Sequence, residues 1–162
     1  LIVIDTDEFL FPVKKGNLLS FLKDYEDCAT VCANWRMFGT SHVPQINQGE
    51  FLIEKLTWRA SDDDSSHTHV KSIVRPELVL YFVNPHFPIL PEGVYKVNED
   101  KTPFIGAINP SPSVNKIRIN HYWTRDEHFL FNNKIPRQKN GGLLTACFSE
   151  SKSLIKYKIE TF

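Results

Sequence analysis

Apolar residues open the chain in an unbroken run, Leu1-Ile2-Val3-Ile4, which stops at three carboxylates within four residues, Asp5, Asp7 and Glu8. A continuous run of β-branched residues and leucine predicts a strand buried on both faces, as in the middle of a parallel sheet. Acid at the end of such a strand places charge at the carboxyl edge of the sheet, where open α/β folds bind ligands.

The pattern changes along the chain. Residues 9–12 are expected to pack or turn the chain back. Lys14-Lys15-Gly16-Asn17 reads as a turn with Asn17 as N-cap. Leu18, Leu19, Phe21, Leu22 and Tyr25 fall at helical spacing and predict a short amphipathic helix over 17–27. Residues 29–38 (ATVCANWRMF) read as a strand that runs into a loop at 39–42, and residues 51–59 suit helix or strand equally. A polar loop follows at 62–66. Residues 70–75 form a strand closed by Pro76, and 78–83 form a second apolar strand before Asn84-Pro85-His86. Pro, Gly and Asn between 88 and 112 predict loops with short strands. Residues 116–122 read as a strand with Ile117 and Ile119 on one face. Residues 125–134 read as a helix stopped by Pro136, with a C-terminal helix from Ser151. The mixture predicts an α/β fold, a mixed sheet flanked by helices.

The 162 residues are enough for one domain with a sizeable core, taken as residues 1–137 with a tail over 138–162. Nineteen basic and nineteen acidic residues cancel, so no global field draws the chain to nucleic acid or an anionic membrane. No apolar run has transmembrane length. The chain opens inside what reads as a core strand, which suggests the C-terminal portion of a longer protein. Cys28, Cys32 and Cys147 show neither a disulfide framework nor zinc spacing.

Asp5 and Asp7, one small residue apart, can reach one hard divalent cation such as Mg2+ or Mn2+ that shares its remaining positions with substrate phosphates. They can equally be solvated carboxylates that stop a strand. His67 and His69 beside the acids at 62–64 read as a metal site or a surface loop. His86 follows a buried strand in an Asn-Pro-His-Phe-Pro context that fixes the backbone, and His121, at a strand end beside aromatics, reads as a core residue or as a late third ligand. Lys71 and Arg75, four apart around a strand, are expected to face one side, where cations could neutralise a departing diphosphate. Arg125, Lys134 and Arg137 are further candidates.

Taken together, these blocks resemble glycosyltransferase family 92. Asp5-Thr6-Asp7-Glu8-Phe9 is similar to the D-x-D-E-F form of the GT-A DxD motif. Asn34-Trp35 with Phe38-Gly39-Thr40-Ser41 is similar to N-W-x-x-F-G-S-S. His69 to Pro76 resembles H-x-K-S-I-V-R-P, Pro85-His86-Phe87 resembles P-H-x-F, and Ile119 to Glu127 with Lys134 and Arg137 resembles the family's I-N-H-Y ending. The blocks stand in family order over residues 1 to 137. The resemblance implies a GT-A-like fold, here apparently without its N-terminal nucleotide-binding strands, and a metal-dependent, inverting transfer. The donor would be a nucleotide sugar, UDP-sugar foremost, and the acceptor a glycan or glycolipid hydroxyl. It implies Mn2+ (or Mg2+) held by Asp7 with Asp5 and His121, and Asp5 alternatively on ribose or metal-bound water. Asp5, Lys71 and Arg75 would face the donor; Trp35, Gly39, Thr40, Ser41 and His86 would face the acceptor. One departure is that Ser41 is followed directly by His42, where family members often carry a glycine.

An inverting transferase needs a carboxylate to take the acceptor proton. Glu54 is the first candidate, because its apolar segment is expected to raise its pKa; Asp62 to Asp64 are the alternative. Two other functions remain open: a DxD phosphohydrolase, for which no late acidic pair is found, and an inactive glycan-binding fragment. A bacterial source implies the cytoplasm, at the membrane face; a eukaryotic one implies the Golgi. Free thiols and the absence of an Asn-x-Ser/Thr sequon favour the first.

Overall fold

The computed structural model describes residues 1–140; the helix expected from Ser151, Cys147 and most of the expected tail lie outside them. The chain is mixed α/β and divides into two compact units. The first comprises Leu1–Arg36 and Ser65–Asn120, the second Met37–Asp64 and the described residues from His121 onward.

The sheet of the first unit is built on β2 (Thr30–Met37), which is buried along nearly its whole length. Strand β3 (Val70–Val74) runs antiparallel to it, in register from Thr30↔Val74 to Asn34↔Val70. Along the sheet, β1 (Glu8–Pro12) lies next to β8 (Ile117–His121), then β2, then β6 (Lys96–Val97) and β7 (Pro103–Phe104). β6 is parallel to β2 and β7 antiparallel to β6, so the sheet is mixed. Met37 and His121, the last residues of β2 and β8, belong to the second unit.

The pleat of β2 sorts its side chains onto two faces. Val31 and Ala33 pack with Ile73 of β3, Ile117 and Ile119 of β8, and Phe21 and Tyr25. Cys32 points the other way, onto Val70 and Phe104. Phe21 comes from α1 (Leu18–Leu22), which Asn17 caps by accepting the Ser20 N–H at 2.9 Å. A 3-10 turn over Lys23–Tyr25 completes the predicted helical stretch. Ile117 and Ile119 alternate with half-buried Arg118 and Asn120, as the period-two pattern requires.

In the second unit, Phe38 stacks on Tyr122 with centroids 4.6 Å apart, over Leu56. Residues 51–59 resolve into a one-turn helix, α2 (Leu52–Lys55), and an extended end in which Arg59 bridges Phe38.

Three expectations are corrected. Leu1–Ile4 is not a buried strand: Leu1 exchanges both backbone hydrogen bonds with Val74, yet its surface is 62% exposed and Val3 and Ile4 are open too, leaving Ile2 to pack on the core. A run of apolar residues records no partner, and among the described residues nothing covers this segment's outer side. The carboxylates therefore lead into the first strand of the sheet, which Glu8 opens, rather than end one. Secondly, the apolar stretch at 78–83 joins no large sheet. It becomes β4 (Tyr81–Asn84), paired among the described residues only with β5 (Phe87–Ile89), and Tyr81 and Val83 stay exposed. Thirdly, Pro136 does not stop the last helix. An α turn, α3 (Glu127–Phe129), passes through a π turn at Leu130–Lys134 into α4 (Ile135–Asn140). The wider turn puts Pro136 second in a fresh α segment, where its missing N–H is tolerated.

Candidate active site

The acidic segment folds into a closed turn. The Glu8 N–H donates to the Asp5 carbonyl at 3.1 Å, and the Asp5 N–H donates back to Glu8 Oε2 at 2.9 Å. This reciprocal i, i+3 closure is the logic of a capping box without the helix. It buries Glu8 and Asp7 and leaves Asp5 and Thr6 exposed. Lys71 enters from β3 with its side chain wholly buried. Its ammonium stands 3.0 Å from Asp5 Oδ2 and 3.3 Å from Glu8 Oε2. Two buried opposite charges need each other here, since either alone would be uncompensated.

Next to this group lies an aromatic trio. Trp35 stacks on His69, with ring centroids 4.9 Å apart at 12°, and meets His86 edge-on at 5.2 Å. His86 Nδ1 is 2.8 Å from the Val70 carbonyl and His69 Nδ1 is 3.2 Å from that of Ser66, so in each ring Nδ1 carries the proton and donates. Burial pushes the His86 pKa below its ordinary 6.5, and the Lys71 charge pushes the same way against the bond to Val70 and the Glu8 charge. Asn34 props the loop beneath by donating to the His67 carbonyl at 2.8 Å and accepting from Asn109 at 2.9 Å.

The lowered His86 pKa has a pH signature. Below 6.5 the unfolded chain takes up a proton that folded His86 still refuses, so stability is complete above 6.5 and falls as pH drops toward the folded pKa. His86→Gln is expected to flatten that fall. Melting temperatures measured between pH 7.5 and 5.5 check it; parallel curves for both proteins would show that another group is responsible.

The first unit thus gathers Asp5, Glu8, Lys71, His86, His69 and Trp35, although donor and acceptor roles were expected of different members. Arg75 serves other partners: its guanidinium donates to the carbonyls of Glu26 and Cys28. Two clefts in this unit, of about 450 and 230 Å3, are lined by other residues, Leu22, Ile73 and Arg75 among the first set and Phe87, Lys96 and Phe104 among the second. The polar chemistry of the carboxylate turn outweighs their mostly apolar walls as the mark of a site.

The second unit holds the remaining candidates. Gly39 donates to the Trp58 carbonyl at 2.9 Å, Ser41 Oγ accepts the Trp58 N–H at 2.8 Å, and Thr40 is buried. Ser41 and His42 both take left-handed backbone, φ 53° and 56°, at the place where a glycine is missing from the family pattern. His121 is buried. Glu54 does not have the apolar enclosure expected of it. It is exposed on the single turn of α2, where Phe51 is 66% open.

The turn's donor atoms are carboxylate oxygens, the set that hard divalent cations take, and the Asp5 side chain is 61% exposed and open to one. Among the described residues no three His, Cys, Asp or Glu side chains converge closely enough to hold a metal by themselves. A cation bound at the turn would complete its shell with substrate oxygens and water.

Sequence reasoning passed over Glu8, although its i+3 spacing from Asp5 was a readable signal for the reciprocal bond. His69 as the stacking partner of Trp35 had no such signal. Among the described residues no helix is long and apolar enough to cross a membrane. The family model described as glycosyltransferase family 92 matches residues 1–141. No curated protein matches the chain.

Proposed function

Because the chain belongs to glycosyltransferase family 92, we propose that this glycosyltransferase moves a sugar from a UDP-sugar to a glycan or glycolipid hydroxyl, with inversion, in a reaction that depends on Mn2+ or Mg2+. Family membership favours this reading over the phosphohydrolase alternative. The observation that carries it is the closed carboxylate turn, Asp5 to Glu8, inside the family-matched region. Asp7 and Asp5 would hold the cation, which when bound neutralises the diphosphate as it leaves. Glu8 and Lys71 hold the turn in shape. Trp35, fixed between His69 and His86, presents a rigid indole against which a sugar ring loses little further freedom on binding.

Calorimetric titration of UDP into the chain, with and without Mn2+, tests the reading. Binding is expected only with Mn2+ and is expected to disappear in Asp7→Ala. UDP binding that ignores Mn2+, or that survives Asp7→Ala unchanged, would sink the role given to the turn.

A further inference from the structure

Lys71 does not sit as a donor-binding lysine would. Its side chain is 0% exposed, and its ammonium is shared between Asp5 Oδ2 and Glu8 Oε2, the same Glu8 oxygen that receives the Asp5 amide. Glu8 is as deeply buried as Lys71, whereas Asp5 faces solvent. To reach a phosphate, Lys71 would have to leave two carboxylates and the protein interior. Of its two partners, only Asp5 is open to an incoming ion.

We propose that Lys71 is the resident counter-ion of the carboxylate turn, competing with a divalent cation for Asp5 while Glu8 anchors it. This inference rests on the cation-dependent reading above. A unit positive charge about 3 Å from a carboxylate oxygen opposes a second cation there by Coulomb repulsion. As Asp5 is taken up by the cation, Lys71 keeps its pairing to Glu8 and remains buried without becoming an unpaired charge. Glu8 is then a positioning residue: besides the direct pull of its own charge, it acts on the cation through Lys71 and the Asp5 amide.

Mn2+ titrated into the full chain, with the free ion read from its electron paramagnetic resonance signal, measures affinity without turnover. Lys71→Met preserves the length of the side chain and removes its charge, and is expected to bind Mn2+ about tenfold more tightly than the wild type. Glu8→Gln retains an acceptor for the Asp5 amide but releases Lys71 wholly to Asp5, and is expected to bind several-fold more weakly. Simple loss of order would weaken both variants, whereas a competing counter-ion moves them in opposite directions. Should Lys71→Met fail to fold, the double variant Glu8→Gln/Lys71→Met removes both buried charges together, and is expected to bind more tightly than Glu8→Gln alone. Wild-type binding with Lys71→Met equal or weaker, or a double variant no tighter than Glu8→Gln, overturns the counter-ion role and leaves the cation reading standing. No Mn2+ binding by any of these folded proteins overturns the cation reading, and the counter-ion role with it.

Discussion

Glu99→Ala is expected to lower stability by about 4 kcal/mol, or the melting temperature by roughly 10 °C. Glu99 is buried, and both carboxylate oxygens are spent on one stretch of chain. Oε1 accepts from the Ser113 hydroxyl and from the Asn115 N–H at 2.8 Å; Oε2 accepts from the N–H groups of Lys116 at 2.9 Å and Ile117 at 2.8 Å. The two residues after Asn115 lead straight into β8, whose Ile117 and Ile119 are core. Removing the carboxylate orphans three backbone donors, and each buried donor without a partner costs about 1–3 kcal/mol, reduced where water can enter. Glu99→Gln has the same shape but turns one acceptor into a donor facing N–H groups, so it is expected to lose more than half as much. Chemical denaturation of the two variants checks this. A Glu99→Gln protein as stable as the wild type would show that shape, not the charged acceptor, holds the strand's entry.

Asp126→Ala is expected to cost about 2–3 kcal/mol, within the second unit. One oxygen caps α3 by accepting the Phe129 N–H at 2.7 Å; the other accepts the Ile46 N–H at 2.9 Å. The side chain is buried, so the loss is that of a cap plus an unsatisfied amide, not of an exposed cap alone. Asp126→Asn retains one acceptor and should recover about half. Thermal melts of both variants decide it; equal stability of Asp126→Ala and wild type would make the tie to Ile46 incidental.

Local chemistry was legible in the sequence where it depends on neighbours in the chain. Asn17 could be read as an N-cap, because a cap needs only an acceptor ahead of an amphipathic run. Ile117 and Ile119 could be placed on one face, because the pleat has a period of two. The five ordered blocks identified the family, and the family match over residues 1–141 bears that out. The motif also put Asp5 and Asp7 together, since residues two apart in a turn cannot be far separated.

What depends on partners distant in the chain was decided only by the tertiary structure. Leu1–Ile4 and residues 78–83 are as apolar as buried strands, but hydrophobicity states a preference for burial, not which element provides it. Glu54 sits in an apolar segment of sequence, yet desolvation comes from neighbours in space, and α2 has too few. Pro136 is accepted because of the π turn ahead of it, a feature of backbone geometry rather than of composition. Lys71 reads as a surface cation available to a phosphate, because lysine is rarely buried. Its place on the inner side of β3, sixty-six residues from Asp5 in the chain, turns it into the buried partner of Asp5 and Glu8. An ammonium taken out of water must find carboxylates, and only the fold brings those two to it.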